Sequence, residues 1–264
     1  MEEMSRSEFK ANSIAVLGAA SGIGRATALA FANDGANVAA IDVNTERLDG
    51  FDDELRETGA AKALTGVADV RNSAATDVAM QSIVDNFGGL DHLIFTSGIL
   101  RVGSLMDMPE VEFDDVFDVN MRGFWIAARA AVPHLEAGPE RRKSITALSS
   151  AAAIRPKASS GAYAASKIAL SHLVRVLAVE LASTGITVNA IAPATVETPM
   201  TQPFMGETNS NHGYRLSGTS PMGRIAQPED IAKACLFLSS QASAYITGIT
   251  MPVDGGSTAA MPRA

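Results

Sequence analysis

Short apolar runs alternate with longer stretches in which apolar residues recur at three- and four-residue steps. The runs predict strands at 13–18, 37–41, 62–67, 91–96, 143–149, 186–192 and 249–253. Helices are expected in most of the gaps, and this order is the mark of a parallel sheet assembled from strand–helix–strand units. The clearest helix spans 161–183, where Leu170, Leu173, Val174, Leu177 and Leu181 fall on one face. No internal repeat, low-complexity tract or linker interrupts the pattern. The expected fold is therefore α/β, a doubly wound parallel sheet of about seven strands with helices on both faces, in one domain covering 1–264. One stretch breaks the rhythm. Residues 193–221 are rich in Pro, Thr, Asn, Ser and Gly. They follow the sixth strand at its C-terminal end, where open parallel sheets bind ligands, so a substrate-binding loop or lid is expected there.

Composition narrows the function classes. The chain has 264 residues, a net charge of −8 and a pI near 5.0. An acidic balance argues against nucleic acid and anionic membranes as partners. The one basic cluster, Arg141-Arg142-Lys143, reads as a solvated turn. No 18-residue uncharged apolar run suggests a membrane span. The opening Met1-Glu2-Glu3-Met4-Ser5-Arg6 is too charged for a secretory signal. The single cysteine, Cys235, lies in an apolar helical run and reads as a buried, inert thiol; one cysteine allows no internal disulfide, which suits the cytoplasm. His92, His134, His172 and His212 lack metal-ligand spacing, so no metal site is read, and only His212, in the irregular loop, is a candidate for touching substrate.

Two motifs carry chemistry. The first is Gly18-Ala19-Ala20-Ser21-Gly22-Ile23-Gly24, between the apolar run Ser13–Leu17 and the alanine-rich Arg25–Ala32. Strand, glycine turn and helix in that order form the context of a dinucleotide-binding turn, where glycines let a pyrophosphate approach the first helical N–H groups. The next strand ends at Asp42, 24 residues after Gly18. A carboxylate there can accept hydrogen bonds from adenosine ribose hydroxyls and would repel a 2′-phosphate. Val43 and Asn44 follow it with no adjacent cation, which favours NAD over NADP. The second motif is Tyr163-Ala164-Ala165-Ser166-Lys167, with Ser150 thirteen residues before the tyrosine. Positions i and i+4 share a helix face, so the phenol and the ammonium can point into one cleft. A cation within reach lowers a phenol pKa by roughly one to three units, toward the range that carbonyl–alcohol interconversion needs.

Together these residues resemble the short-chain dehydrogenase/reductase family of the single-domain type, from about Ser13 to Gly256. The resemblance implies a Rossmann-like sheet and a cofactor, NAD, held by Gly18, Ser21, Gly22, Ile23 and Gly24. It adds Asp42 on the ribose, Asp69 with Val70 near the adenine, and Thr96 and Gly98 after the fourth strand. Pro193, Val196 and Thr198 match the segment around the nicotinamide, alongside Tyr163 and Lys167. It further implies Tyr163 as general acid/base, Lys167 acidifying it and holding the nicotinamide ribose, and Ser150 on the substrate oxygen, with Ser149 as fallback. Asn120 would hold a water linking Lys167 to solvent. Pro228–Ala232 and Val253–Gly256 match the last helix and strand. The sequence departs from the family pattern at Leu17, where a threonine is usual, at Phe95-Thr96, where two asparagines are usual, and at Ala194, where a glycine is usual. Each departure puts local loop geometry in question.

The expected reaction is hydride transfer between NAD(H) and a small-molecule secondary alcohol or ketone. Met200, Phe204, Met205, Tyr214 and Leu216, with Leu100, Val102, Ile154 and Pro156, are candidates for an apolar pocket. Arg101, Arg155 and Arg215 are each candidates to bind a carboxylate or phosphate. A cyclic dihydrodiol or a 3-oxoacyl thioester would use the same catalytic residues. The non-enzyme alternative is an NAD(H)-binding regulator; an epimerase or dehydratase would need a larger C-terminal domain. By resemblance, a homo-oligomer, tetramer or dimer, is expected. The long helix is apolar on more than one side (Ile168, Leu170, Val176, Val179), which fits a partner or a deep position in a monomer.

Overall fold

The computed structural model describes residues 8–205, 216 and 218–260. The seven strands are β1 (Ser13–Leu17), β2 (Asn37–Asp42), β3 (Lys62–Val67), β4 (His92–Phe95), β5 (Lys143–Leu148), β6 (Ile186–Pro193) and β7 (Thr250–Val253). All pair in parallel, in the order β3-β2-β1-β4-β5-β6-β7, a Rossmann-like doubly wound sheet. The helices between them are α1 (Gly22–Asn33), α2 (Thr45–Leu48), α3 (Phe51–Thr58), α4 (Ser73–Phe87), α5 (Glu110–Phe117), α6 (Gly123–Ala137), α7 (Ala151–Ile154), α8 (Gly161–Glu180) and α9 (Pro228–Ser239).

Apolar residues line both faces of the central strands because each face meets a helical layer. In β1, Ile14 and Val16 join Phe31 of α1, Leu55 of α3 and Leu238 of α9 on one side. Ala15 and Leu17 join Met80 of α4, Phe124 of α6 and Leu170 of α8 on the other. By length and composition α8 could cross a membrane, with a mean hydropathy of 1.3; in the fold its Leu170, Val174 and Ala178 are buried with Val188 and Ala190 of β6. Cys235 is buried in the other layer, where burial pushes its thiol up to about 12.

The N-terminal edge of the sheet corrects one expectation. Arg141-Arg142-Lys143 is not a solvated turn. Lys143 opens β5 at 8 % exposure and donates to the buried Asp91 carboxylate at 2.9 Å and the Leu90 carbonyl at 3.1 Å. Half-buried Arg142 donates to the Thr187 hydroxyl and to the Ser240 and Leu238 carbonyls, tying β5 to the end of α9. Only Arg141 keeps an exposed side chain. These partners lie about 45 to 100 residues away, so the local pattern could not reveal them.

Candidate active site

The C-terminal ends of all seven strands share one edge, and the loops there build the site. β1 turns at Gly18 (φ +86°) into α1. A Cβ on Gly18 would lie 2.6 Å from the Ser97 nitrogen, and one on Gly24 would lie 2.1 Å from the Gly18 carbonyl oxygen. The turn is thus packed backbone against backbone, with no room for side chains at either glycine. Thr96, just beyond β4, donates its hydroxyl to the carbonyls of Leu17 (2.7 Å) and Gly18 (3.1 Å). A bracing hydroxyl that Leu17 cannot provide therefore reaches the turn from the neighbouring strand end.

A cleft of about 520 Å³ opens beside this turn. Its lining includes Gly18, Ser21, Gly22, Ile23 and Gly24, then Asp42, Asp69 and Val70 from the ends of β2 and β3, Thr96 and Gly98 beyond β4, and Thr198 beyond β6. The Asp42 carboxylate accepts from the Ala20 N–H (3.0 Å) and the Asn44 N–H (3.0 Å), which aims it along the glycine turn. Asp69 accepts from the Arg71 guanidinium at 2.7 and 3.0 Å, and this contact holds its carboxyl below the usual range. Arg71 also pairs with Asp115 of α5 at 3.1 Å. Neither Arg71 nor Asp115 was singled out from the sequence; the only local signal was an arginine two residues after Asp69.

A narrower cavity of about 90 Å³ shares Ile23, Thr96, Gly98, Thr198 and Met200 with the cleft and adds Ser150, Tyr163, Lys167, Pro193 and Val196. α8 starts at Gly161, so Tyr163 and Lys167 sit one turn apart near its N-terminus. The Lys167 ammonium lies 5.9 Å from the centre of the Tyr163 ring and donates to the Leu148 carbonyl at 2.7 Å. Burial alone takes Lys167 down to about 7. Ser150 caps α7, accepting from the Ala152 N–H at 3.1 Å. Ser149 lines the cavity too, but its buried hydroxyl is engaged with the Lys167 carbonyl (3.1 Å) and the Ser171 hydroxyl (2.7 Å), so it is no substitute for Ser150.

Asn120 lines neither space. It sits fully buried in a π-helical turn, Asp118–Arg122, that links α5 to α6; such single wide turns often mark functional sites. Its side-chain oxygen accepts from the Ile99 N–H (2.8 Å), and its amide donates to the Ile99 carbonyl (3.0 Å) and the Ser166 hydroxyl (3.0 Å). A Cβ on Gly98 would approach both the Asn120 oxygen (3.2 Å) and the Lys167 ammonium (3.3 Å). The segment beyond β6 folds around Thr201, whose hydroxyl donates to the Val196 carbonyl at 2.5 Å. Tyr214, His212 and Arg215, with most of the later half of 193–221, lie outside the described residues.

A glycine-turn cleft joined to a cavity holding Ser, Tyr and Lys defines the class: an NAD(P)-dependent oxidoreductase on a Rossmann-like fold. The family described as Enoyl-(Acyl carrier protein) reductase matches residues 18–258. The chain is 36% identical over 246 residues to the 3-oxoacyl-(acyl-carrier-protein) reductase FabG of Thermotoga maritima, covering 91% of this chain and 95% of that one. It is 35% identical over 250 residues to the 2,3-dihydro-2,3-dihydroxybenzoate dehydrogenase of Bacillus subtilis, covering 92% and 94%. The carveol dehydrogenase of Mycobacterium avium, solved in complex with NAD, superposes with a TM-score of 0.88 at 29% identity, covering 96% of this chain and all of that one. The chain belongs to the short-chain dehydrogenase/reductase family.

Proposed function

We propose that the protein is an NAD-dependent dehydrogenase/reductase that interconverts a secondary alcohol and a ketone, with Tyr163 as the general acid/base. One observation carries this reading: Tyr163, Lys167 and Ser150 line one cavity, and that cavity runs into the glycine-turn cleft through Ile23, Thr96 and Gly98. The residues present fit a dinucleotide. Gly18 and Gly24 tolerate no side chain, and the first N–H groups of α1 receive no side-chain cap from Ser21, which leaves them for a pyrophosphate. In this reading Asp42 takes the ribose hydroxyls, Asp69 and Val70 the adenine, and Pro193, Val196 and Thr198 the nicotinamide. When bound, the cofactor supplies the hydride acceptor or donor.

The chain's own residues handle the proton. Tyr163 donates to the carbonyl oxygen during reduction and accepts from the hydroxyl during oxidation. Lys167 stabilises the phenolate while charged and holds the nicotinamide ribose. Ser150 already accepts from Ala152, so its own O–H remains to donate to the substrate oxygen where negative charge develops. Because the Asn120 amide is engaged with Ile99 and Ser166, we assign Asn120 to positioning the segment beyond Gly98 rather than to a water chain.

A secondary alcohol or ketone on an apolar, cyclic skeleton is the favoured substrate. The dihydrodiol reading finds support in the Bacillus subtilis relative. The thioester reading, supported by the Thermotoga maritima relative, is the alternative on the same catalytic residues. Exposed Ile168, Val176 and Val179 on α8 support a homo-oligomer, and a single buried thiol fits the cytoplasm. Purified Tyr163→Phe is expected to bind NADH normally and lose turnover by roughly 10²–10⁴-fold; near-normal turnover would remove Tyr163 from the mechanism. NAD(H) is expected to exceed NADP(H) in kcat/KM, and the reverse order would sink the assignment of Asp42. NADH consumed in step with product separates a dehydrogenase from a regulator that only binds it.

A further inference from the structure

Three arginines were candidates to meet an anion near the substrate. Arg155 is committed to the carbonyls of Ser257 (3.0 Å) and Ala260, and Arg215 lies outside the described residues. Arg71, the other guanidinium in the cleft, is neutralised by Asp69 and Asp115. Arg101 differs from all of these. It lines the cleft, is exposed, makes no ion pair among the described residues, and reaches only the carbonyl of its own neighbour Leu100, at 3.5 Å.

The segment carrying Arg101 is pinned at both ends. Asn120 clamps Ile99 through both its N–H and its carbonyl. At the far end the Gly103 N–H donates to the Ser159 carbonyl at 2.8 Å, and Gly103 bridges to Ser160. Both partners there hold conformations that side chains avoid: Gly103 at φ +158° and Ser159 at φ +62°. Glycine takes up such a backbone freely, but at Ser159 it persists only where surrounding contacts over-determine it. Between these anchors Leu100, Arg101 and Val102 form a three-residue bow, starting two residues after Gly98, which abuts the Lys167 ammonium.

We propose that Arg101 binds an oxyanion in this cleft, supplied by a carboxylate on the substrate, so that the substrate class is a carboxylate-bearing cyclic alcohol or ketone. This rests on the reading of the cleft as an NAD(H) site. The cofactor's pyrophosphate is the other anion that could enter, but the uncapped start of α1 already provides for it. A guanidinium offers a planar fork that matches a carboxylate in two parallel hydrogen bonds.

The test titrates benzoate and benzamide, rings of similar size and different charge, into the enzyme–NADH complex. It follows cofactor fluorescence in the wild type, Arg101→Ala and Arg101→Lys. The wild type is expected to prefer benzoate by roughly 10- to 100-fold, the range of a hydrogen bond to a charged group. Arg101→Ala should abolish that preference while benzamide and NADH affinities stay unchanged, and Arg101→Lys should keep part of it. Equal binding of the two rings by the wild type, no binding of benzoate, or a preference that survives in Arg101→Ala overturns the proposal. Weakened NADH binding in Arg101→Ala with the benzoate preference intact assigns the guanidinium to the pyrophosphate and also overturns it. The titration needs no turnover, so it is read separately from the Tyr163 mechanism. A wild type that fails to bind NADH breaks the cofactor reading first, and this proposal with it.

Discussion

The two edges of the sheet each bury a lysine and treat it in opposite ways. At the N-terminal edge, Lys143 meets the carboxylate of Asp91 at 2.9 Å, and Asp91 also accepts from the Ser13 N–H. At the C-terminal edge, Lys167 is 3 % exposed, donates to the Leu148 carbonyl, and makes no ion pair among the described residues. Burial takes it down to about 7. Taking a charge out of water without a partner is costly, and proteins keep such groups chiefly where chemistry needs them. The paired lysine closes a structural joint between β4 and β5. The unpaired one lies beside Tyr163 in the cavity.

The comparison predicts opposite outcomes for the same substitution. Lys167→Met should lower turnover by roughly 10²–10⁴-fold while raising the denaturant midpoint, because an unfavourable buried charge gives way to an apolar chain. Lys143→Met should leave turnover per folded molecule unchanged but cost about 3–5 kcal/mol of stability, because Asp91 loses its closest cation. A Lys167→Met variant that unfolds more readily than wild type, or a Lys143→Met variant of unaltered stability, would break the contrast.

A pH measurement sharpens it. His92 stands at the same edge as Lys143, fully buried, with its ring bonded to the Ser144 hydroxyl at 2.8 Å and facing the cations Arg142 and Lys143. Burial, then those two charges, takes it down from 6.5 to about 3. The folded state therefore keeps His92 neutral while the unfolded chain protonates below about 6.5. Stability should fall as pH drops through that window toward 3, with a slope of up to about 1.4 kcal/mol per pH unit. His92→Gln should flatten the slope between about pH 6.5 and 4.5, above the range in which carboxylates titrate; an identical slope would contradict the assignment. The smallest effect concerns Thr146 in mid-β5, fully buried with a hydroxyl that finds no partner among the described residues. Thr146→Val should raise stability by about 1 kcal/mol, and a loss would mean the hydroxyl is satisfied after all.

Much of the architecture was legible because it follows local periodicity. The strand expected at 13–18 is Ser13–Leu17, and that expected at 249–253 is Thr250–Val253. The helix expected at 161–183 ends at Glu180 and continues as a 3-10 turn over Ala182–Thr184. Gly18, Gly24, Tyr163 and Lys167 were legible as well, since their spacing along one turn or one helix is itself the signal. What escaped was the hydrogen bonding and ion pairing between distant segments. Thr96 braces Leu17 across 79 residues of chain, and Asp91 and Lys143 pair across 52. Asn120 was noticed, but its partner Ile99 was not.

The sequence by itself determined a parallel α/β sheet, a glycine turn that only bare backbone can make, and a phenol and an amine on one helical face, because each depends on neighbours within a few residues. Tertiary structure alone decided which lysine is paired and which is not, that the Ser149 hydroxyl is tied to the Lys167 carbonyl and Ser171 while that of Ser150 only accepts from the Ala152 N–H, and that Arg101 has no counter-charge among the described residues. Those outcomes depend on which carboxylates, carbonyls and hydroxyls the fold brings within 3 Å or so, the range over which hydrogen bonds form, and chain order does not encode that distance.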